Sequence, residues 1–392
     1  MKKICVFTGS RAEYGLLKPL LDEIKQDSSL KLLLLVSGMH LSAVFGNTYK
    51  LIESDGFKID RKVMTLDDGG TPLATCRSIA HGIVGYTEAF RELQPDILVL
   101  LGDRYETFAA ATAALVSQLP IAHIHGGETT QGAIDEAFRH SITKMSLLHF
   151  TSTENYRQRV IQLGEHPDHV FDVGAIGLEY LDKGDFLSKN ELEDALNFRF
   201  GKKNALVTFH PVTLEPGRAT QQFSQLLAAL DDLEELKIIF TKANADPEGR
   251  NINQLIDDYV IKNPKRTISF TSMGHQRYLS SMKIVDLVIG NSSSGIIEAP
   301  SFGVPVINVG SRQQGRIKAA NIIDCLPEQK SILEACKKGL SQQFKNLAKA
   351  VDNPYRKKDT ASQIKEIIKK TNATKRLKSF YDIPANTSSS KS

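Results

Sequence analysis

The stretch ILVLLGDRYETFAAATAALVSQLPIAHIHGGE, residues 97–128, decides the fold class. It opens with an unbroken apolar run that ends at Gly102, the pattern of a strand buried on both faces. The alanine-rich segment from Tyr105 reads as a helix, and a second apolar run closes at Gly126 and Gly127. Strand, helix and strand in that order predict a parallel sheet covered by helices on both sides.

The same alternation extends both ways. "KICVFTG" and "KLLLLVSG" precede the window, and "LHFTSTEN" and "VFDVGAIG" follow it. A charged interval over residues 178–202 breaks the pattern, which restarts with "ALVTFHP", "LKIIFTKA", "RTISFTS", "IVDLVIGNSS" and "PVINVGS". Two α/β domains are therefore expected, over residues 1–177 and 203–372. Residues 178–202 join them, terminal helices complete the second, and residues 373–392 form a flexible, polar, basic tail. A chain of 392 residues suits two cores rather than one. In parallel sheets of this kind ligands bind outside the carboxyl ends of the strands, so a cleft between the two sheets is where chemistry is sought.

Composition narrows the classes. With 41% hydrophobic and 24% charged residues and a net charge of +4, the chain reads as soluble and globular. The basic excess sits in late runs such as "IKKTNATKRLK", which suit a solvated helix face and a tail; no basic stripe with interleaved aromatics points to nucleic acid. The four cysteines form no CxxC pair and no metal-ligand spacing, which fits a reducing cytoplasm. "MKKICVFTG" reads as a first strand rather than a signal peptide, and no apolar run approaches membrane-spanning length. A cytoplasmic protein with neither a membrane nor a nucleic-acid partner is expected.

Several strand ends carry polar residues. "FTGSRAEYG" places Arg11 at a helix start, as an anion contact or as a surface residue beside a cap. "LLGDRYET" puts Asp103 and Arg104 at the next rim; Asp103 as a helix cap is the competing reading. In "IAHIHGGETTQGAIDEAFRHSITK" (residues 121–144), His125 and Glu128 stand at the rim. Asp135 and Glu136 begin a helix there, with Arg139 four residues beyond Asp135 as a helix ion pair. So many titratable groups in one turn are either a polar loop or a proton-transfer site. In the second half His210 follows a strand. "GNSSSGIIE" then offers backbone N–H groups and the hydroxyls of Ser292, Ser293 and Ser294, with Gly295, as a phosphate cradle. Glu298 suits ribose hydroxyls, and Arg312 and Arg316 in "GSRQQGR" suit a second anion.

These motifs, "SRAEYG", "LGDRYET", "HIHGGETTQG", "FHPVT" and "GNSSSGIIEAPSFGVPVINVGSRQQGR", resemble the UDP-N-acetylglucosamine 2-epimerase family over about residues 1–345, and most closely its hydrolysing branch of sialic and nonulosonic acid synthesis. The resemblance implies two Rossmann-like domains in a glycosyltransferase-B-like arrangement. It implies release of UDP and a C2-inverted free sugar by elimination and rehydration, with no cofactor and no metal. The implied substrate is UDP-GlcNAc, with UDP-N,N'-diacetylbacillosamine as the alternative, and the implied assembly is a homodimer or homotetramer. Asp103, His125, Glu128, Asp135 and His210 match catalytic positions. Arg11, Arg104, Ser292, Ser293, Ser294, Gly295, Glu298 and Arg312 match UDP-sugar contacts. Where relatives often carry H-x-E, this chain has His125 in "HIHGG", so either His125 or Glu128 takes the glutamate's role. A non-hydrolysing epimerase, a glycosyltransferase and a non-catalytic UDP-sugar sensor are the other readings.

Overall fold

A computed structural model describes the chain apart from residues 68, 132, 185, 213–214, 244–247, 373–377 and 385–392. The first unit holds a seven-stranded sheet of β1 (Lys2–Thr8), β2 (Leu30–Ser37), β3 (Arg61–Val63), β4 (Ile97–Leu101), β5 (Ile121–Ile124), β6 (Leu148–Thr151) and β7 (Val170–Asp172). Its strand order is β3-β2-β1-β4-β5-β6-β7. The second unit holds a six-stranded sheet of β8 (Lys203–Thr208), β9 (Leu236–Thr241), β10 (Thr267–Phe270), β11 (Leu287–Gly290), β12 (Val306–Val309) and β13 (Ile322–Cys325). Its order is β10-β9-β8-β11-β12-β13. Pairing is parallel in both sheets.

The central strands are mostly apolar because each face meets its own helical layer. In β1, Ile4 and Val6 join one core cluster with Leu17, Leu20 and Ile24, while Cys5 and Phe7 join the other with Tyr86 and Ala109. Side chains of period two thus fill two cores. Both sheets reverse strand order once, between β1 and β4 and between β8 and β11. Those switch points open the crevices where ligands bind in such sheets.

The second switch point is unusually tight. A Cβ on Gly290, whose φ is +132°, would lie 1.9 Å from the Thr208 carbonyl oxygen of the neighbouring strand, so only glycine fits.

Of the terminal helices, Gln329–Leu340 packs in the second unit as expected, through Ile332, Ala335 and Cys336, while the final one departs from the expected division. The last, Thr360–Lys370, packs on Arg11–Gln26 of the first unit, with Ala361, Ile364 and Ile368 in the core beside β1. The cause is its apolar stripe, and Lys2 caps its end by donating to Ile368 O at 2.6 Å. Of the expected flexible tail, residues 373–377 and 385–392 lie outside the described residues. Residues between them are docked: Lys378 Nζ donates to Lys144 O at 2.8 Å and meets Glu165 at 2.6 Å, and Tyr381 N donates to Gly164 O at 2.9 Å. No helix among the described residues is long and apolar enough to cross a membrane.

Candidate functional site

At the first switch point, β1 ends in a turn built around Glu13. Ser10 caps the helix Arg11–Gln26 in a capping box, and Glu13 Oε2 accepts from Gly9 N at 2.7 Å and Ser10 N at 2.9 Å. Glu13 lies near a second buried acid, Glu106, which receives Arg104 Nε at 3.2 Å. Burial, and then the charge of Glu106, push the Glu13 carboxyl up to about 7. Arg104 is therefore engaged with Glu106, a contact that the reading of Arg104 as a substrate ligand did not foresee.

Asp103 does not cap the following helix; the residue in that position is Arg104, without a side-chain cap. Asp103 instead ion-pairs with Arg139 Nη2. Arg139 is 1% exposed and organises the rim: it also donates to Thr130 Oγ1 at 2.5 Å, to Glu128 O at 2.8 Å and to Glu136 Oε2 at 2.8 Å. The carboxylate that holds Arg139 within its helix is thus Glu136, at i,i+3, rather than Asp135 as expected. Asp135 stands at the helix start, half-buried.

The two histidines of "HIHGG" separate. His123 points down into the sheet, where Nε2 meets Gly102 O at 2.8 Å and Nδ1 meets Thr143 Oγ1 at 3.2 Å. Burial drives its pKa down to about 3, so it is neutral. His125, at φ +67°, turns to the rim, and its Nδ1 lies 3.0 Å from Glu128 Oε1. Gly127 follows at φ +78°, where a Cβ would strike Tyr156 O at 2.5 Å. Glu128 is enclosed: Ser152 Oγ donates to Oε1 at 2.7 Å, and Arg316 Nη1 pairs with Oε2 by charge at 3.0 Å. Burial raises its pKa, but Arg316 and His125 outweigh burial and hold the carboxyl well below the usual range.

The second unit presents its own strand ends. His210 N donates to Asn291 Oδ1 at 2.7 Å, and Asn291 Nδ2 returns to His210 O at 2.8 Å, so one buried asparagine fixes the end of β8 against that of β11. Arg312 Nη1 donates to Asn291 O at 3.1 Å, which gives this expected anion contact a structural bond as well. Ser292 caps the short helix Ser293–Ile297, and its Oγ lies 3.1 Å from Ser294 Oγ, which in turn lies 2.5 Å from Tyr278 OH. Glu298 stands at the break before Ala299–Phe302 rather than inside a helix. It is 8% exposed with Oε2 lacking a hydrogen-bond partner among the described residues, and burial pushes its pKa up to about 7.

The units meet around these residues. Arg11 lies beside Arg277 and His275: a Cβ on Gly274 would sit 3.4 Å from Arg11 Nη2 and 3.9 Å from the Arg277 guanidinium. Arg11 and Arg277 thus bring two guanidinium groups together, an arrangement that suits a diphosphate. Opposite them, Arg316 Nε donates to Thr129 O at 3.1 Å. The geometry thus brings Asp103, His125 and Glu128 together on one wall, with Arg11 beside the facing loop, and His210, the serines and Glu298 on the other. Sequence reasoning missed Glu13, Glu106, Arg277, Tyr278 and Asn291. Among the described residues no group of three His, Cys, Asp or Glu side chains is placed to hold a metal ion.

A family model for UDP-N-acetylglucosamine 2-epimerase matches residues 22–369. The GDP/UDP-N,N'-diacetylbacillosamine 2-epimerase (hydrolyzing) of Campylobacter jejuni is 43% identical over 344 residues, covering 88% of this chain and 89% of that protein. The polysialic acid biosynthesis protein P7 of Escherichia coli is 39% identical over 397 residues, covering 99% of this chain and all of that protein (100%). Among solved structures, UDP-GlcNAc 2-epimerase from Neisseria meningitidis bound to UDP-GlcNAc superposes with a TM-score of 0.80 at 18% identity, covering 95% of this chain and 100% of that one. The fold is that of the two-domain, glycosyltransferase-B-like epimerases.

Proposed function

The chain belongs to the UDP-N-acetylglucosamine 2-epimerase family, and from that premise we propose that it is a hydrolysing 2-epimerase, converting a UDP-linked 2-acetamido sugar into UDP and the free sugar inverted at C2. The observation that carries the reading is the contact of Arg316 with Glu128, which joins the loop after β12 in the second unit to the acid–base rim of the first.

The chemistry asks for groups on two faces of the sugar. A base removes the C2 proton, the C2–H electron pair becomes a C1=C2 double bond, and the C1–O bond breaks with UDP as the leaving group. Water then adds at C1 and a proton returns to C2 from the opposite face. General acid–base groups supply the proton transfers, and fixed positive charge stabilises the departing diphosphate. Asp103 and His125 on the first unit and His210 on the second are assigned the proton transfers, with Asp135 at the helix start beside them. Ser292, Ser293, Ser294, Gly295 and Arg11 are assigned the diphosphate, and Glu298 the ribose.

Two sugars are carried forward. UDP-N,N'-diacetylbacillosamine is favoured by the 43% identical relative and by the histidine at position 125 where glutamate is common in the family. UDP-GlcNAc is favoured by the UDP-N-acetylglucosamine 2-epimerase of Neisseria meningitidis, 32% identical over 341 residues. Proton NMR of the protein with each nucleotide sugar in heavy water decides. Released UDP and a free manno-configured sugar with deuterium at C2 are expected from one of them. A UDP-bound epimer without hydrolysis, or UDP binding without turnover on either sugar, would overturn the reading.

A further inference from the structure

We propose that Glu128 is a positioning residue that orients the His125 imidazole so that Nε2 accepts the C2 proton, and that Arg316 completes this pair from the opposite unit. The proposal rests on the function put forward above and goes beyond it by assigning the roles of His125, Glu128 and Arg316.

The carboxylate itself is badly placed to exchange protons. Glu128 is 2% exposed, one oxygen is shared by Ser152 Oγ at 2.7 Å and His125 Nδ1 at 3.0 Å, and the other lies 3.0 Å from Arg316 Nη1. Even its carbonyl is occupied, by Arg139 Nη1 at 2.8 Å. Its charge is held by Arg316 and His125, which keep the carboxyl ionised well below the usual range, so it is a weak base for a substrate proton.

His125 is also buried, but it differs in having an uncommitted acceptor. A carboxylate 3.0 Å from Nδ1 favours the proton on that nitrogen. The lone pair is then on Nε2, which is buried and without a hydrogen-bond partner among the described residues. The backbone enforces the arrangement. His125 holds φ +67° while its N–H donates to Phe150 O at 2.8 Å, and Gly127 packs on Tyr156 O immediately after. Histidine is among the side chains that tolerate this region. The charged and titratable groups around the pair are Arg316, Arg139, Tyr156 and Tyr355 near Glu128, Asp103 near Arg316, His123 near His125 and Glu298 across the cleft.

Arg316 makes the pair dependent on both units. Its loop is stitched to the first unit through Arg316 Nε to Thr129 O at 3.1 Å, Gln131 N to Gln314 O at 3.4 Å and Ile317 N to Tyr156 OH at 3.0 Å. The Arg316 guanidinium fixes the second oxygen of Glu128, and the first oxygen fixes the ring. In the reaction, Nε2 takes the C2 proton as the C1–O bond to UDP breaks, and the imidazolium formed is stabilised by the Glu128 anion.

The test is Glu128→Gln, which keeps the shape and removes the charge. Turnover should fall at least tenfold, up to the about 10⁴-fold loss that follows when a base histidine loses its orienting carboxylate. KM and UDP affinity should stay within about threefold. The acidic limb of kcat/KM should move to lower pH, because the imidazolium loses its anion. In ¹⁵N-histidine NMR, with His125 assigned by difference from His125→Asn, the wild-type ring should carry its proton on Nδ1 and the variant should lose that preference. Arg316→Gln should lower turnover non-additively with Glu128→Gln. An Nε2–H tautomer in the wild-type protein, or a Glu128→Gln enzyme with unchanged turnover and pH profile, would overturn the proposal. Absence of turnover on every UDP-sugar would defeat the functional reading instead, and the tautomer would still decide the pair.

Discussion

Arg139 and Asp103 form an ion pair that joins the helix Asp135–Met145 to the end of β4, and Arg139 is 1% exposed. Removing one partner of a buried pair leaves the other charge without compensation, which costs about 3–5 kcal/mol. Asp103 and Glu136 keep 22% and 25% of their side chains exposed, so water compensates much of that loss, and Arg139→Met should destabilise the fold by about 1–3 kcal/mol, through the hydrogen bonds to Thr130 and Glu128 O that disappear. Asp103→Asn should act differently. Its amide oxygen still accepts from Arg139, so melting changes by about 1 kcal/mol while turnover falls about 10²–10⁴-fold and UDP binding persists. Wild-type turnover in Asp103→Asn would remove Asp103 from the proton-transfer set.

Glu298 links the cradle to pH. Burial lifts its carboxyl to about 7 in the folded protein, above the 4.3 or so of an exposed glutamate. The folded state therefore binds more protons than the unfolded state between those values, and stability is lost as pH rises through that window. Glu298→Gln, neutral at every pH, should match wild type near pH 5 and exceed it at pH 8 by on the order of 2 kcal/mol in urea unfolding. Glu13, lifted to about 7 by burial and Glu106, contributes a parallel slope that remains in the variant. Curves that stay parallel from pH 5 to 8 would show that Glu298 is not held in its neutral form. At pH 8, where Glu298 is ionised, UDP affinity should fall in the same variant, since an amide accepts ribose hydrogen bonds less strongly than a carboxylate.

Much of this arrangement was legible in the chain, and the misses share a cause. Strands buried on both faces announce themselves as apolar runs, so eleven of the thirteen, all but β3 and β13, were visible in the sequence. The two missed are short edge strands, "RKV" and "IIDC", whose half-exposed positions dilute the signal. In the site, strand-end residues were found because position alone flags them. Their partners were not, because partners come from distant elements: Arg316 reaches Glu128 across 188 positions of chain. Arg139 was paired with Asp135 by helix spacing, yet Glu136 is equally well spaced at i,i+3 and the backbone N–H of Thr130, 2.5 Å from Glu136 Oε2, decides between them. Asn291 looked like part of a serine-rich loop; its two bonds to the backbone of His210 exist only once β8 and β11 are neighbours.

The serine cradle depends on a tyrosine behind it. Tyr278 OH lies 2.5 Å from Ser294 Oγ, which lies 3.1 Å from Ser292 Oγ. Tyr278→Phe removes one end of this hydroxyl chain and frees Ser294 to rotate. One neutral hydrogen bond is worth about 1 kcal/mol, so UDP affinity measured calorimetrically should fall about three- to tenfold with little change in melting. Unchanged affinity would mean that the backbone N–H groups alone hold the anion.

The last helix should report on the first unit rather than the second. Ile364 is fully buried in the cluster formed by Ile4, Leu20 and Ile24, and Lys365 pairs with Glu23 at 3.0 Å. Ile364→Ala should cost about 2–4 kcal/mol, since the cavity opens between two helices that cannot both collapse onto the sheet. The location of the damage is more telling than its size. Local opening follows the cooperative unit in which a residue is packed, so amide exchange should quicken along Arg11–Gln26 and β1 while Ala219–Asp231 and β8 keep their protection. If protection falls in the second unit instead, the helix is energetically part of the sheet that precedes it in sequence, and its contact with Arg11–Gln26 contributes little.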